Sequence, residues 1–572
     1  MKEISFAVVA ATVSAVAVFL PLSFLTDTTG RLFREFAVTV AAALAVSGFV
    51  AVTLSPALCA LIVRRNPKPT GVKRLLARMV DSWSAAYNTA LRSVLRRPLV
   101  WVLVGFGWLG FGVLLWGQIE EELIPKSDRA SVLVWTQAPE GSTINYMDRY
   151  QRATEDLLLD VPEVEHVFSV IALGLGTPGL VNQGILIVSL SPTGERERDQ
   201  EEIASSLRDD LREIPGIKAY PSTPSPLSGF LSSPVAFAIK GEDLPELAHY
   251  AALIEQRLDS YGGFGNVQTN LYLNKPQLEV EIDRNRASDL GVSVRAIATT
   301  LQTLLGGLDL STFKLGGETY NVMVQSDRGE RNDPRDILEY LVRGNDGLLI
   351  PLASLVATRE GTAPREIPHY NRQRSVTVSA NLDGLSQGDA IQIAERIAYE
   401  ILPEDGYHIA FTGEAEKFLE SGNALTFAYG LAILVVYLVL AAQFESFVHP
   451  VTILVAVAFS FTGALVALWV TAALRDLELI ELPGTLNLYS KIGLVMLVGL
   501  VTKNSILIVE FANQLRGRGL ELHQAITQAA QTRFRPILMT ALATMVGILP
   551  IAIGSGAGGD SRAPLGIAVV GG

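Results

Sequence analysis

Long apolar runs at both ends of the chain frame a middle stretch in which apolar positions alternate or recur with helical period. The runs are Ile4 to Leu25, Phe36 to Val63 and Leu99 to Trp116, then Ala424 to Ala442, Pro450 to Leu474, Leu486 to Phe511 and Pro536 to Ile553, and a partial one begins near Leu565. A bilayer crossing takes about 20 predominantly apolar residues, so these runs are read as membrane helices. In the middle stretch the period switches between two and 3.6. Ser131 to Gln137 reads as a strand, Ser142 to Leu159 as a helix, and Val164 to Ile171 and Ile185 to Leu190 as strands around a Gly/Pro loop. Arg198 to Glu213 is then a helix and Ile217 to Tyr220 a strand. That order is βαββαβ, the split βαβ arrangement.

A second such unit follows the Pro-rich link Pro221 to Pro234. It has Val235 to Lys240, Leu244 to Ser260 and Val267 to Leu273, and it resumes at Arg374 with the helix Gln387 to Leu402 and His408 to Thr412. The insertion between its parts carries the strands QLEVEID and YNVMVQ, a Gly316-Gly317 turn and an Asn345-Asp346-Gly347 hairpin turn. It is read as a docking element, with surface elaboration as the alternative. The expected fold is an α-helical polytopic membrane protein with an inserted α+β lobe. Its parts are two membrane helices (1–63), a basic segment (64–98), a third helix (99–116), a first subdomain (117–223), a second (224–274 and 372–423), the insertion (275–371), and four helices plus the start of a fifth (424–572).

Charge sets the sidedness. The 64–98 segment holds nine arginines and lysines, from Arg64 to Arg97, against the single acid Asp81. The positive-inside rule puts it in the cytoplasm. Within it, Leu75, Leu76, Met79, Trp83 and Tyr87 fall at helical spacing, which suits a helix on the inner membrane surface. Ala512 to Arg535 is basic and therefore cytoplasmic, whereas Arg475 to Glu481 is net acidic and lies outside.

One charge sits inside a span. Lys503, followed by Asn504, lies in IGLVMLVGLVTKNSILIVEF, about 18 Å of helix from Lys491. A lysine at that depth costs at least about 2.5 kcal/mol and calls for a partner or a function. The expected partner is an acid on a neighbouring membrane helix, and no span of this chain supplies one.

Composition narrows the classes. With 49% hydrophobic and 18% charged residues, much of the chain meets lipid and much meets water. A net charge of -12 speaks against nucleic acid as a partner. Cys59 is the only cysteine and the six histidines are scattered, so no disulfide framework or metal-ligand spacing arises. There is no HExxH, GxSxG or phosphate-cradling loop, so no catalytic constellation supports an enzyme.

An internal repeat is visible. VFLPLSFLTDTTGRLFREFAVTV lies without a gap over GILPIAIGSGAGGDSRAPLGIAV, matching Pro21 to Pro550 and Gly30 to Gly559, with Thr12 one place from Thr540. Parallel repeats of this kind mark transporters. The repeat has no counterpart here for the Lys503 helix or the lobe before it, so the sequence is expected to be cut at both ends.

The stretches AVFLPLSFL, VTLSPALCA, LAAQFESFVHP, GLVTKNSILIVEFAN, RFRPILMTALAT and GSGAGGDSRAPLGIAVVGG together resemble the resistance-nodulation-division (RND) efflux permeases, most nearly their hydrophobe/amphiphile branch. The resemblance covers essentially the whole chain. It implies a homotrimer in the bacterial inner membrane with a large periplasmic lobe, working with a periplasmic membrane-fusion adaptor and an outer-membrane channel. It implies protons as coupling ion, no other cofactor, and small amphiphilic drugs as cargo. Lys503 then matches the relay lysine, Thr540 the relay threonine and Arg533 the arginine at the cytoplasmic mouth. The paired aspartates that take the proton belong to a helix outside this sequence. The two split units correspond to porter subdomains and the insertion to half of a docking domain. Phe168, Leu173, Leu175 and Ile187 fall on the family's drug pocket, with only Phe168 aromatic, and the loop containing Ala172, Gly174, Gly176 and Pro178 corresponds to a flexible switch loop. Plain sheet-core roles are the alternative for Leu173 and Ile187, back-bonding to its own helix for Thr540, and a positive-inside anchor for Arg533. Two other functions are weighed against proton-driven drug efflux. One is a metal exporter of the same fold, for which the lobe offers only the soft ligands Met147 and Met323. The other is a non-transporting half-pump scaffold.

Overall fold

A computed structural model of the chain describes residues 2–24, 28–62, 72–125, 127–174, 179–224, 233–477, 479–480, 482–555 and 558–572. The first apolar run forms α1 (Lys2–Phe19) and a 3₁₀ turn at Pro21–Phe24. The second forms α2 (Thr28–Val52) and α3 (Leu54–Ile62), which together make one stretch, Phe33–Ile62, long and apolar enough to cross a membrane. Pro56 has no N–H to give to Val52, and Thr53 Oγ1 donates to Phe49 O at 2.7 Å, so the helix is interrupted there. The basic segment forms α4 (Val72–Arg96), with Met79 and Trp83 exposed at i and i+4. Proline at the first position opens α5 (Pro98–Trp116).

The first lobe unit comprises β1 (Ser131–Gln137), α6 (Ile144–Leu159), β2 (Val164–Ile171), β3 (Gln183–Leu190), α7 (Gln200–Arg212) and β4 (Lys218–Ser222). Thr143 caps α6 by accepting from Tyr146 N, and Asp199 with Glu202 forms a capping box on α7. The strand order is β2-β3-β1-β4, all antiparallel. Val132, Val134, Leu186 and Val188 face the helices and form the core with Ile203, Leu207 and Leu211.

The second unit starts with β5 (Val235–Lys240), α8 (Leu244–Tyr261) and β6 (Phe264–Thr269). The insertion follows. It contains β7 (Lys275–Ile282), α9 (Arg284–Asp289), α10 (Val294–Leu301), β8 (Leu308–Leu315), β9 (Glu318–Val324), α11 (Asp336–Glu339), β10 (Leu341–Arg343), β11 (Leu349–Pro351) and β12 (Val356–Ala363). Gly316 and Gly317, both at positive φ, turn β8 into β9, and Gly347 at φ 78° serves the β10–β11 hairpin. The insertion has its own core around Ile297, Val342, Leu352 and Leu355. The second unit then resumes with β13 (His369–Tyr370), β14 (Gln373–Leu382), α12 (Gln387–Ile401) and β15 (His408–Phe411). Its main strands lie in the order β6-β14-β5-β15, the same arrangement as the first sheet.

The closing helices are α13 (Gly413–Phe444), α14 (Val448–Asp476), α15 (Leu488–Gly517), α16 (Leu522–Ala552) and α17 (Gly559–Gly571). Helix α16 begins well before Pro536, where the span was expected to start. Six helices among the described residues are long and apolar enough to cross a membrane. Helix α15 is the centre of the bundle and packs on α1, α14, α16 and α17. The repeat-equivalent helices α1 and α16 are thus both its neighbours.

Candidate functional site

The site is built on α15 because small residues let its neighbours close in. A Cβ at Gly493 would lie 3.0 Å from Ala568 Cβ on α17, and one at Gly499 would lie 3.7 Å from Ala15 Cα on α1. Thr502 is fully buried, its hydroxyl donating to Val498 O at 2.7 Å. One residue on, Lys503 is exposed on the chain's own surface, and among the described residues no carboxylate lies within ion-pair distance of it. Half of the most apolar window of α15 is buried, against none of the corresponding window of α16.

The other two expected relay residues lie on α16. Thr540 is exposed, and its hydroxyl donates to Ile537 O at 2.9 Å. The Arg533 guanidinium stacks 4.7 Å from the Phe511 ring centroid on α15. Beside it, Phe534 stacks on Tyr87 of α4 at 4.4 Å and Arg535 pairs with Asp81. No hydrogen bond joins Lys503, Thr540 and Arg533 to one another among the described residues.

The expected pocket residues lie on the first sheet. Phe168 is 61% exposed and pairs across the strands with Ile187, which is half-buried. Leu173 is 44% exposed, so neither it nor Phe168 belongs to the sheet's core. Leu175, Gly176 and Pro178 fall outside the described residues. The two described ends of that loop meet. Ala172 adopts φ 57° and its N–H donates to Gln183 O at 2.9 Å, while a Cβ at Gly179 would strike the Ala172 carbonyl. A cavity of about 390 Å³ opens between the two sheets, lined by Leu133 and Trp135 on one side and Gln268, Thr377 and Ser379 on the other. The two units are pinned together by Arg208–Asp383 at 2.7 Å and by a hydrogen bond from Gln137 Nε2 to Tyr272 Oη. Glu140 of the first unit also pairs at 2.9 Å with Arg365, between β12 and β13.

Sequence reasoning missed the junction between bundle and lobe. The Glu120-Glu121-Glu122 run after α5 reaches three places. Glu120 meets Arg475 of α14 at 3.4 Å, Glu121 meets Lys491 of α15 at 3.6 Å, and Glu122 accepts from the Thr485 hydroxyl. The available signal was a lysine in the first turn of an apolar span, in the same chain as an acidic triplet at the exit of another.

Residues 1–572 match the AcrB/AcrD/AcrF family over their full length. An uncharacterized transporter of Haemophilus influenzae is 31% identical over 580 aligned positions, covering 100% of this chain and 55% of that protein. The chain thus spans about half the length of this curated relative.

Proposed function

The chain belongs to the AcrB/AcrD/AcrF family of polytopic membrane transporters, and from that premise we propose that it serves proton-motive-force-driven efflux of hydrophobic and amphiphilic compounds. In this reading it belongs to the hydrophobe/amphiphile branch and works as a homotrimer in a bacterial inner membrane. Its lobe is periplasmic, built of two porter subdomains and part of a docking domain, and meets an adaptor and an outer-membrane channel.

The observation that carries the reading is Lys503, an exposed ammonium on the central apolar helix with no ion-pair partner among the described residues. In hydrocarbon such a charge needs a counter-charge. We infer a carboxylate, from outside the described residues, held against it. Protonation of that acid removes the lysine's partner, and the ammonium turns toward another acceptor, Thr540 being the nearest in role. The resulting shift of α15 is the step that couples proton uptake to the lobe. Apolar cargo contacts Phe168, Leu173, Leu175 and Ile187, beside the loop that contains Ala172, Gly174, Gly176 and Pro178.

The metal-export alternative gains nothing from the lobe's methionines. Met147 is fully buried in a core cluster, and Met323 lies exposed on the β8–β9 hairpin. Proton flux in proteoliposomes separates the readings. Flux stimulated by lipophilic cations and detergents is expected, whereas flux stimulated only by metal ions would replace drug export with metal export. No stimulation by either would leave the scaffold reading.

A further inference from the structure

The acidic triplet after α5 does more than neutralise charge, because its backbone is woven between a membrane helix and the lobe. On one side, Leu486 N donates to Glu120 O at 2.9 Å, Glu122 N to Leu486 O at 3.2 Å and Leu488 N to Leu123 O at 3.1 Å, fastening the segment to the start of α15. On the other, Gly388 N donates to Glu121 O at 2.9 Å and Leu123 N to Gln387 Oε1 at 2.9 Å, fastening the same residues to the first turn of α12. Gln387 is buried, and its amide also donates to Pro234 O at 3.0 Å, just ahead of β5. Helix α12 buries Ala390, Ile391, Ala394 and Ile397 in the core of the second sheet. Four residues of chain are therefore shared between the helix that carries Lys503 and the helix that carries the sheet.

Lys491 closes this arrangement. Its side chain is 11% exposed, its ammonium is 3.6 Å from Glu121 Oε2 and 6.0 Å from the Phe418 ring centroid, and its carbonyl accepts from Tyr429 Oη at 2.6 Å. Phe418 packs against the second sheet's core. The start of α15 is held by the Asn487–Ser490 capping box. Lys491 and Lys503 lie on one uninterrupted helix about 18 Å apart. A hydrogen-bonded helix transmits axial and rocking displacement along that length, and the ion pair adds a side-chain tie to the backbone bonds that fasten its end to the lobe segment.

We propose that the Glu121–Lys491 pair is a positioning device that locks α15 to α12, so that displacement at Lys503 reaches the second sheet. Its consequence for export rests on the transport reading above; its geometry does not. Lys491 is largely enclosed and Glu121 is a third exposed, so neutralising one member leaves the other charge without its partner, and exchanging both restores the attraction.

The test uses Lys491→Met, Glu121→Gln, Lys491→Arg and the exchange Glu121→Lys with Lys491→Glu, in the full product of the reading frame in proteoliposomes. Amide hydrogen exchange at Leu123 and Gly388 is followed together with the ratio of cargo flux to proton flux. Each neutralising variant is expected to speed exchange at both amides and to lower the flux ratio by about tenfold, within the usual span of coupling between sites. Lys491→Arg and the double exchange should hold both readouts near the wild-type values. Unchanged amide exchange in the single variants would overturn the proposal. So would failure of the double exchange to restore it in protein that melts at the wild-type temperature. If the wild type moves no cargo, the transport reading falls and the amide-exchange arm alone decides this one.

Discussion

Phe168 on β2 stands directly opposite Ile187 on β3, and Ile187 in turn stands opposite Leu133 on β1. Directly paired residues share a face of the sheet, so an apolar row crosses the side away from α6 and α7. It runs from an exposed aromatic to the cavity wall between the two units. A row of this kind offers bulk apolar contact with a single ring for stacking. Phe168→Ala should weaken apparent affinity for large aromatic cargo by roughly tenfold, about 1.4 kcal/mol, since burying such a side chain is worth about 1.5–3 kcal/mol. Small aliphatic cargo should be affected less. Competition transport assays at matched protein amounts check this, and an equal loss for every compound would remove Phe168 from the contact surface.

The glycines of α5 divide into two kinds. A Cβ at Gly105 would come within 2.8 Å of Phe459 Cζ, and one at Gly112 would overlap the Thr462 side chain, both on α14. Gly107 and Gly110 face open space. Gly112→Val should therefore destabilise the α5–α14 contact by about 1–3 kcal/mol through overpacking, while Gly107→Val should be close to neutral. Thermal unfolding in mild detergent compares them, and equal effects would mean that the helices do not rely on this approach.

Two lobe carboxylates set a pH dependence. Burial alone would raise the Asp128 carboxyl, but the Arg196 guanidinium and the N–H groups of Ala130 and Gln200 outweigh it and hold it below its usual value. The two-pronged bond from Arg198 does the same for Glu163. A carboxylate lowered in the folded state contributes stability above its unfolded pKa and loses it as pH falls through the folded one. The melting temperature should be flat down to about pH 5 and decline below about pH 4. Arg196 is enclosed, with 1% of its side chain exposed. Arg196→Ala should cost about 3 kcal/mol at neutral pH, because it leaves a shielded carboxylate unpaired. It should also flatten the acid limb. A melting profile across pH 3–8 with unchanged slope would show that Asp128 contributes little.

How far the sequence foretold this arrangement differs from element to element. The two split units were readable because alternation in β1 and β3 and capping residues such as Thr143 and Asp199 act locally. The start of helix α16 was not, because proline normally ends a helix and Pro536 sits inside this one. Leu173 and Ile187 read equally well as core or surface, since period-two patterning says which residues share a face and not which face a neighbour covers. The exposure of Lys503 depends on how helices pack over hundreds of residues of separation, which no local signal carries, and the charge signal at Lys491 and the acidic triplet does not say which acid the lysine meets.

The final prediction concerns Lys503 itself. The side chain fills no cavity among the described residues, since it stands exposed on α15 while Thr502 beside it makes the buried contact. Lys503→Met keeps the length and removes only the charge, so α15 should pack as before and protein amounts should stay near normal. If the ammonium is the counter-charge for a proton-binding acid, drug-coupled proton flux should vanish, because the acid then has nothing to release on protonation. Thr540→Ala should give a milder defect. Its hydroxyl already donates to Ile537 O at 2.9 Å, so its loss strands no buried group, and water can take over as acceptor. Flux measured in proteoliposomes with a pH-sensitive dye, at equal protein, ranks the three proteins. Export by Lys503→Met at the wild-type rate would make the lysine a tolerated charge and remove it from any role in coupling.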